Sequence, residues 1–163
     1  MKHLFEAATG LVLATAACAA FAHGATIGSI TIAHPFAFAT PPGATTGGAY
    51  LKDVVNEGAA PDALVGVTSP AAETVQIHDM QMDGNVMRMR AIPSVALAPG
   101  RHVAMRPGGG VHLMFIGLKK GWAVGDRVPV TLQFEKAGRV DVLLDVEDRN
   151  AAAMDHPPGM KMP

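Results

Sequence analysis

Cysteine is nearly absent from this chain. Its 163 residues include one cysteine, Cys18, which lies in an apolar N-terminal stretch with the features of an export signal. The stretch carries an early basic residue, Lys2, and ends in Ala20-Phe21-Ala22, the small-x-small pattern that precedes cleavage. We therefore predict a signal peptide over residues 1–22 and a periplasmic location. Cleavage after Ala22 leaves an exported chain with neither disulfides nor thiolate ligands.

Lipidation of Cys18 is the alternative to cleavage after Ala22. A lipobox normally has an aliphatic residue three positions before the cysteine, and Thr15 occupies that position, so cleavage is favoured. Long apolar runs are also lacking. The run over residues 11–21 is shorter than the roughly 20 residues that a membrane-spanning helix requires.

An excess of charge of either sign is lacking too. The chain has 13 Lys and Arg against 14 Asp and Glu, and no basic block that could neutralise several phosphates, so nucleic acid is not expected as a partner.

Enzyme signatures are equally scarce. No Gly-x-Ser-x-Gly, His-Glu-x-x-His or Cys-x-x-Cys motif is present, and Gly108-Gly109-Gly110 lacks the Gly-Lys-Ser/Thr of a Walker loop. We therefore do not expect an enzyme.

Short apolar segments separated by glycine and proline fill the middle of the chain, a pattern typical of β-strands and turns. We predict nine strands, over residues 26–33, 48–55, 63–68, 74–78, 86–91, 102–106, 111–118, 128–135 and 139–146. Their number and spacing predict an all-β protein, an antiparallel β-sandwich or Greek-key barrel. We place this single domain at residues 23–150, followed by a flexible tail over residues 151–163, whose composition fits no strand or helix.

What the chain does have is methionine and histidine, ten and seven residues respectively. His112 and Met114 lie on one face of a predicted strand, because successive side chains of a strand alternate, and Met87 and Met89 share a face of another. A lone methionine usually fills a core and a lone histidine usually lies at the surface. Together with His78, however, these imidazoles and thioethers suit soft Cu(I) better than zinc, calcium or magnesium.

The sequence resembles the PCuAC family of periplasmic copper chaperones over residues 27–148. The pattern of that family is a histidine, about ten residues, a methionine, about twenty-one residues and His-x-Met. In this chain, ten residues separate His78 from Met89, and 22 separate Met89 from His112, one more than the family spacing. Further matching stretches are residues 33–37, 41–43, 47–51, 84–90, 107–114 and 134–138.

The resemblance implies a cupredoxin-like β-sandwich that binds one Cu(I) and passes it to a partner. It names four ligands, His78, Met89, His112 and Met114. It also implies the destination, the dinuclear copper centre of cytochrome c oxidase, reached directly or through an assembly factor of the Sco type. Copper sequestration for resistance is the alternative. A blue-copper electron carrier is excluded, because that site needs a cysteine thiolate.

Secondary ligand candidates lie beside the main set and at both ends of the exported chain. They are Met80, Met82 and Met87, then His23, and in the tail Met154, His156, Met160 and Met162. After cleavage His23 would be the N-terminal residue, where its amine and imidazole could chelate a second copper as Cu(II), as in copper oxidases. A copper site of that kind, known as a histidine brace, needs a second histidine that the sequence does not identify. The tail could also hold Cu(II) or pass copper to the main site.

Overall fold

A computed structural model of the chain describes residues 24–149. The predicted signal peptide lies outside the described residues, as do His23 and the tail candidates Met154, His156, Met160 and Met162. The described chain contains eleven strands. They are β1 Gly24–Ile27, β2 Ile30–Phe38, β3 Thr46–Asn56, β4 Asp62–Thr68, β5 Ala72–Asp83, β6 Val86–Ala91, β7 Val95–Leu97, β8 His102–Val103, β9 Gly110–Leu118, β10 Arg127–Phe134 and β11 Arg139–Glu147.

The strands are joined in the order β6-β5-β9-β3-β2-β11-β10-β4-β7, with β1 added on β2 and β8 on β3. Several neighbours in space are distant in sequence, as in a Greek key. The prediction of an all-β sandwich is confirmed. One strand pair departs from the predicted antiparallel arrangement, because β11 pairs with β2 in parallel.

The core is formed by buried residues of most strands and joins the two halves of the strand path. Leu113 and Phe115 of β9 belong to the same buried cluster as Leu132 of β10 and Leu144 of β11. Burial of apolar side chains in that cluster is the main force that holds the layers together. The other face of β9 carries His112 and Met114, so the strand that anchors the core also presents the predicted ligands.

Trp122 closes the core beside β3 and β9. Its indole packs edge-on against Phe115, with ring centroids 4.9 Å apart. Gly47 of β3 leaves the space for that indole, since a Cβ added at Gly47 would lie 2.7 Å from the Trp122 ring. One glycine of the 47–51 stretch is thus required by packing.

Three predicted strands differ from the structure by more than two residues at one end. Residues 26–33 form two strands, because Gly28 adopts a left-handed conformation (φ 56°) that turns the chain from β1 into β2. The strand predicted at 74–78 extends to Asp83, where Gly84 (φ 61°) makes the turn into β6. The strand predicted at 102–106 ends at Val103, and the three-residue β7 is too short to be recognised by alternation.

Candidate metal centre

The two histidines of the predicted ligand set meet across neighbouring strands. His78 of β5 is directly opposite His112 of β9 in an antiparallel register. Their ring centroids are 5.8 Å apart, with the ring planes at 66°. Opposite positions of an antiparallel pair place side chains on the same face, so both imidazoles can contact one ion.

The predicted thioethers follow from the same register. Met114 lies two residues beyond His112 on the same face of β9 and is opposite Gln76 of β5. On the β5–β6 hairpin, Met80 is opposite Met89. Because alternate residues share a face, all five side chains lie on the outer face of the sheet, as the alternation predicted.

The four predicted ligands are not equally close to one another. Met89 and Met114 are separated by two strand spacings across the sheet and by four residues along the strand direction. On a flat sheet this corresponds to about 16 Å between their Cα atoms. Met80 lies between them, next to His78 along β5. A copper ion bound by Met89 and Met114 together therefore requires the hairpin to curl over the histidines. Met80 is the thioether nearest to the histidine pair on the hairpin side.

Burial differs sharply across the site. His112 is 7% exposed, whereas Met89 on β6 is 54% exposed. His78 and Met114 are intermediate. The predicted site thus has a buried end on β9 and an open end on the hairpin.

Hydrogen bonds leave one nitrogen of His78 available. Its Nε2 lies 2.8 Å from Gln76 Oε1, so Nε2–H donates to the amide oxygen and Nδ1 keeps a lone pair. That Nδ1 is buried and has no hydrogen-bond partner among residues 24–149. A buried nitrogen lone pair without a partner is costly, and a bound cation would satisfy it. A hydrogen bond from the second ring nitrogen to a nearby oxygen commonly holds a histidine ligand in this way.

His112 has a weaker local contact of the same kind. Its Nδ1 lies 3.4 Å from the carbonyl oxygen of Gly110, which favours Nδ1–H as the donor and leaves Nε2 as the ligand nitrogen. Burial, followed by the proximity of His112, lowers the pKa of His78. The neutral imidazole is the form that binds metal, so the environment of His78 keeps it ready for a cation.

Aromatic rings form the other wall of the site. The Tyr50 ring lies 6.4 Å from that of His112 and 5.2 Å from Phe36, and Phe38 is 5.7 Å from Tyr50. Tyr50 extends over Gly48, where an added Cβ would come 3.4 Å from its hydroxyl. Burial raises the pKa of Tyr50, and the Arg149 charge acts in the opposite direction. The phenol therefore stays neutral at the edge of the site.

Sequence reasoning missed two residues of this site, Gln76 and Tyr50. Gln76 shares the face of His78, so strand alternation could have placed it there. Its role depends on which ring nitrogen it contacts, and no sequence pattern gives that. Among residues 24–149, no group of three or more His, Cys, Asp or Glu side chains could hold a metal ion. The donors present at the histidine pair are imidazoles and thioethers.

The chain is an all-β sandwich with two imidazoles and several thioethers on one outer face, and it is similar to solved structures of PCuAC domains. The chain is similar to the copper-bound PCuAC domain from PmoF2, with 34% identity and a TM-score of 0.65 over 78% of this chain and 99% of that one. It is also similar to Cu(I)-bound DR1885 from Deinococcus radiodurans, with 26% identity and a TM-score of 0.56 over 82% and 87% of the two chains. These matches confirm the resemblance to the PCuAC family and its cupredoxin-like sandwich.

The chain belongs to the LpqE-like family, described as "Putative lipoprotein LpqE-like", whose family model matches residues 30–146. A relative in Leifsonia xyli subsp. xyli (strain CTCB07), "Putative lipoprotein Lxx21020", is 31% identical over 104 residues. The match covers 64% of this chain and 63% of that relative. Within residues 24–149 the structure contains no helix long and apolar enough to cross a membrane.

Proposed function

We propose that this protein is a copper carrier of the cell envelope that binds one Cu(I) through His78, His112, Met114 and Met89 and delivers it to a cuproenzyme. The observation that carries the proposal is the facing pair of histidines, one of which has a buried Nδ1 without a hydrogen-bond partner among residues 24–149. The similarity to copper-bound PCuAC domains supports the same cargo.

The ligand chemistry suits a carrier. Imidazole and thioether ligands are neutral, so Cu(I) keeps its single positive charge, and thioethers favour Cu(I) over Cu(II). No thiolate is available in the described chain to hold the ion against exchange. Because Met89 is 54% exposed, an acceptor can replace it before it displaces the buried His112. The cargo can thus be retained in transit and still be transferred.

An envelope location is supported by the family description as a lipoprotein and by the relative's name. Those names also give support to lipidation at Cys18, the alternative to the predicted cleavage after Ala22. Mass spectrometry of the protein from membrane and periplasmic fractions distinguishes them. A mature chain that begins at His23 supports cleavage, and a lipidated Cys18 supports anchoring.

The destination is proposed from the PCuAC resemblance. The acceptor is the dinuclear copper centre of cytochrome c oxidase, supplied directly or through a Sco-type assembly factor. Sequestration for copper resistance is the second candidate, and it predicts the same affinity without transfer. Catalysis by an N-terminal His23 site would require a second histidine ligand, and similarity to copper-bound PCuAC domains favours a carrier instead.

Cu(I) stoichiometry and affinity, measured by chelator competition under reducing conditions, test the ligand assignment. We expect one tight equivalent in the parent that is lost in the Met89→Ala, His112→Ala double variant and retained when the chain is truncated after Asn150. If the double variant binds as tightly as the parent, the assignment is wrong.

Transfer to a purified apo acceptor domain tests the carrier role. Loss of Cu(I) from this protein, with equimolar gain by the acceptor, supports delivery. Retention of the ion against an acceptor of higher affinity supports sequestration.

A further inference from the structure

We propose that the β5–β6 hairpin holds a second, weaker Cu(I) position, formed by Met82, Met87 and Met80. This inference deepens the proposed function, on which it rests. It assigns the outer end of the hairpin as the place where copper enters or leaves the histidine site.

The register of the hairpin aligns its methionines in facing pairs. Met80 lies opposite Met89, and Met82 lies opposite Met87. Facing residues of an antiparallel pair have Cβ atoms about 4.5–5.5 Å apart, so two thioether sulfurs of a pair can reach one ion. The two pairs are adjacent on one face, and the row beyond Met80 is occupied by His78. Thioethers therefore continue without interruption from the histidine pair to the hairpin turn.

Packing does not account for these methionines. Met82 is 63% exposed and Met87 is 51% exposed, so neither fills the core. Flexible, polarisable methionine side chains at a surface are characteristic of adaptable binding sites. Soft thioethers are also the ligands that select Cu(I) among the biological metals.

The opposite face of the hairpin carries charged side chains instead of thioethers. Arg88 pairs with Asp83 at 3.0 Å, and Arg90 pairs with Asp79 at 3.8 Å. The charged groups are thus compensated on one face, and the thioethers are segregated on the other. A cation on the thioether face meets no cationic side chain that shares this face of the hairpin.

Met80 and Met89 lie between the two positions and can serve either. Copper can pass from His78 and His112 toward the turn by exchanging one ligand at a time, without release to water. Because no imidazole is present at the hairpin end, binding there should be weaker than at the histidines.

Anaerobic titration of the complete exported chain with Cu(I), in competition with bicinchoninate, tests the proposal. We expect one tight equivalent and a second that is at least about tenfold weaker, because it lacks imidazole ligands. The Met82→Leu, Met87→Leu double variant should lose the second equivalent and keep the first. Leucine has a similar volume to methionine, and both positions are exposed, so the fold should be retained.

A swap of neighbours provides the sharper control. The Gln81→Met, Met82→Gln double variant has the same composition as the parent but moves one thioether to the opposite face of β5. It should also lose the second equivalent. Val86→Leu alters an exposed side chain of the same hairpin on the opposite face and should bind two equivalents. Spectra of protein labelled at the methionine methyl groups should show Met82 and Met87 shifting only after the first equivalent is bound.

The proposal is overturned if the parent binds a single equivalent at excess Cu(I), or if the Leu double variant retains the second one. Loss of the second equivalent in a Met160→Leu, Met162→Leu variant, with retention in the hairpin variant, would assign it to the tail and also overturn the proposal. Failure of the proposed function would give a different result. The His112→Ala variant would then still bind the first equivalent of Cu(I) as tightly as the parent.

Discussion

His78 and His112 face each other across the β5–β9 pairing, with ring centroids 5.8 Å apart, on the face that also carries Met114 and the Tyr50 ring. The pair joins a central strand to a hairpin at the edge of the sheet. Each imidazole has one nitrogen near a local oxygen, Gln76 Oε1 for His78 and the Gly110 carbonyl for His112. These contacts leave the other nitrogen of each ring available to a metal ion.

The first prediction concerns the protonation of His78 in the metal-free protein. Burial and the nearby His112 lower its pKa, so its titration midpoint in NMR spectra should lie below the usual value of about 6.5. The folded chain then takes up this proton at lower pH than the unfolded chain, and the free energy of unfolding should fall as the pH drops below about 6.5. The variant His112→Ala should raise the midpoint of His78. A midpoint at or above 6.5 in the parent would contradict this account.

The second prediction concerns Gln76, which holds the ring of His78. Gln76→Leu removes the acceptor of Nε2–H, so the ring can rotate or change tautomer, and Cu(I) affinity should fall about tenfold at unchanged stoichiometry. Chelator competition measures the change. Gln81→Leu is the matched control, because Gln81 lies on the opposite face of β5 and contacts Asp79 instead. Equal affinities of the two variants would remove Gln76 from the site.

The third prediction concerns the two glycines of β3. Gly47→Ala places a methyl group 2.7 Å from the Trp122 ring, and it should lower the free energy of unfolding by about 1–3 kcal/mol through overpacking. Gly48→Ala meets only the Tyr50 hydroxyl, at 3.4 Å, and should cost less. Urea unfolding followed by the fluorescence of Trp122 compares them. Equal stability of the two variants would show that the indole moves freely.

The fourth prediction concerns Asp62, a buried residue at the start of β4. Its carboxylate accepts three backbone N–H groups, from Ala63 at 2.7 Å and from Lys136 and Ala137 at 2.9 Å each. Burial alone would raise the pKa of Asp62, but these N–H groups and the charge of Lys136 lower it. The stability that this carboxylate provides is therefore complete above about pH 4 and is lost as the pH falls through the lowered pKa.

Asp62→Ala leaves those three donors without their acceptor and should lower the free energy of unfolding by about 2–4 kcal/mol at neutral pH. The control Asp141→Ala removes one exposed hydrogen bond, from Thr131, and should change stability much less. Cu(I) affinity should stay constant in both, because neither residue is part of the thioether face. A stability loss no larger than that of the control would contradict the role assigned to Asp62.

Most of the correct predictions about the site came from the alternation of side chains along strands. It placed His112 and Met114 together on one face of their strand and Met87 and Met89 together on one face of theirs, and the structure has both pairs. It did not find that β5 continues past His78, because residues 79–83 contain no β-branched residue and become a strand only by pairing with β6 and β9. Long-range pairing of this kind overrides local propensity.

The packing roles of the two adjacent glycines of β3 also could not be predicted from the sequence. A glycine pair reads as a turn signal, yet Gly47 and Gly48 lie inside β3, one beside the Trp122 indole and the other beneath Tyr50. The reason for Gly47 is Trp122, which is distant in the sequence, and the reason for Gly48 is Tyr50, two residues along the same strand. The hydrogen bond that selects the tautomer of His78 likewise depends on rotamers, which no residue pattern specifies.

The position of β6 at the end of the strand path has a consequence for how fast the ion can leave. All six residues of β6 are exposed, and on its outer side no other strand of the described chain pairs with it. Backbone hydrogen bonds at such an edge open far more often than those of a central strand like β9, and amide exchange with deuterium should show this difference. Met89 would therefore detach in brief local openings that leave His112 in place. With the proposed ligands, the lifetime of the loaded state would then be set by fraying of one hairpin, not by the stability of the whole domain.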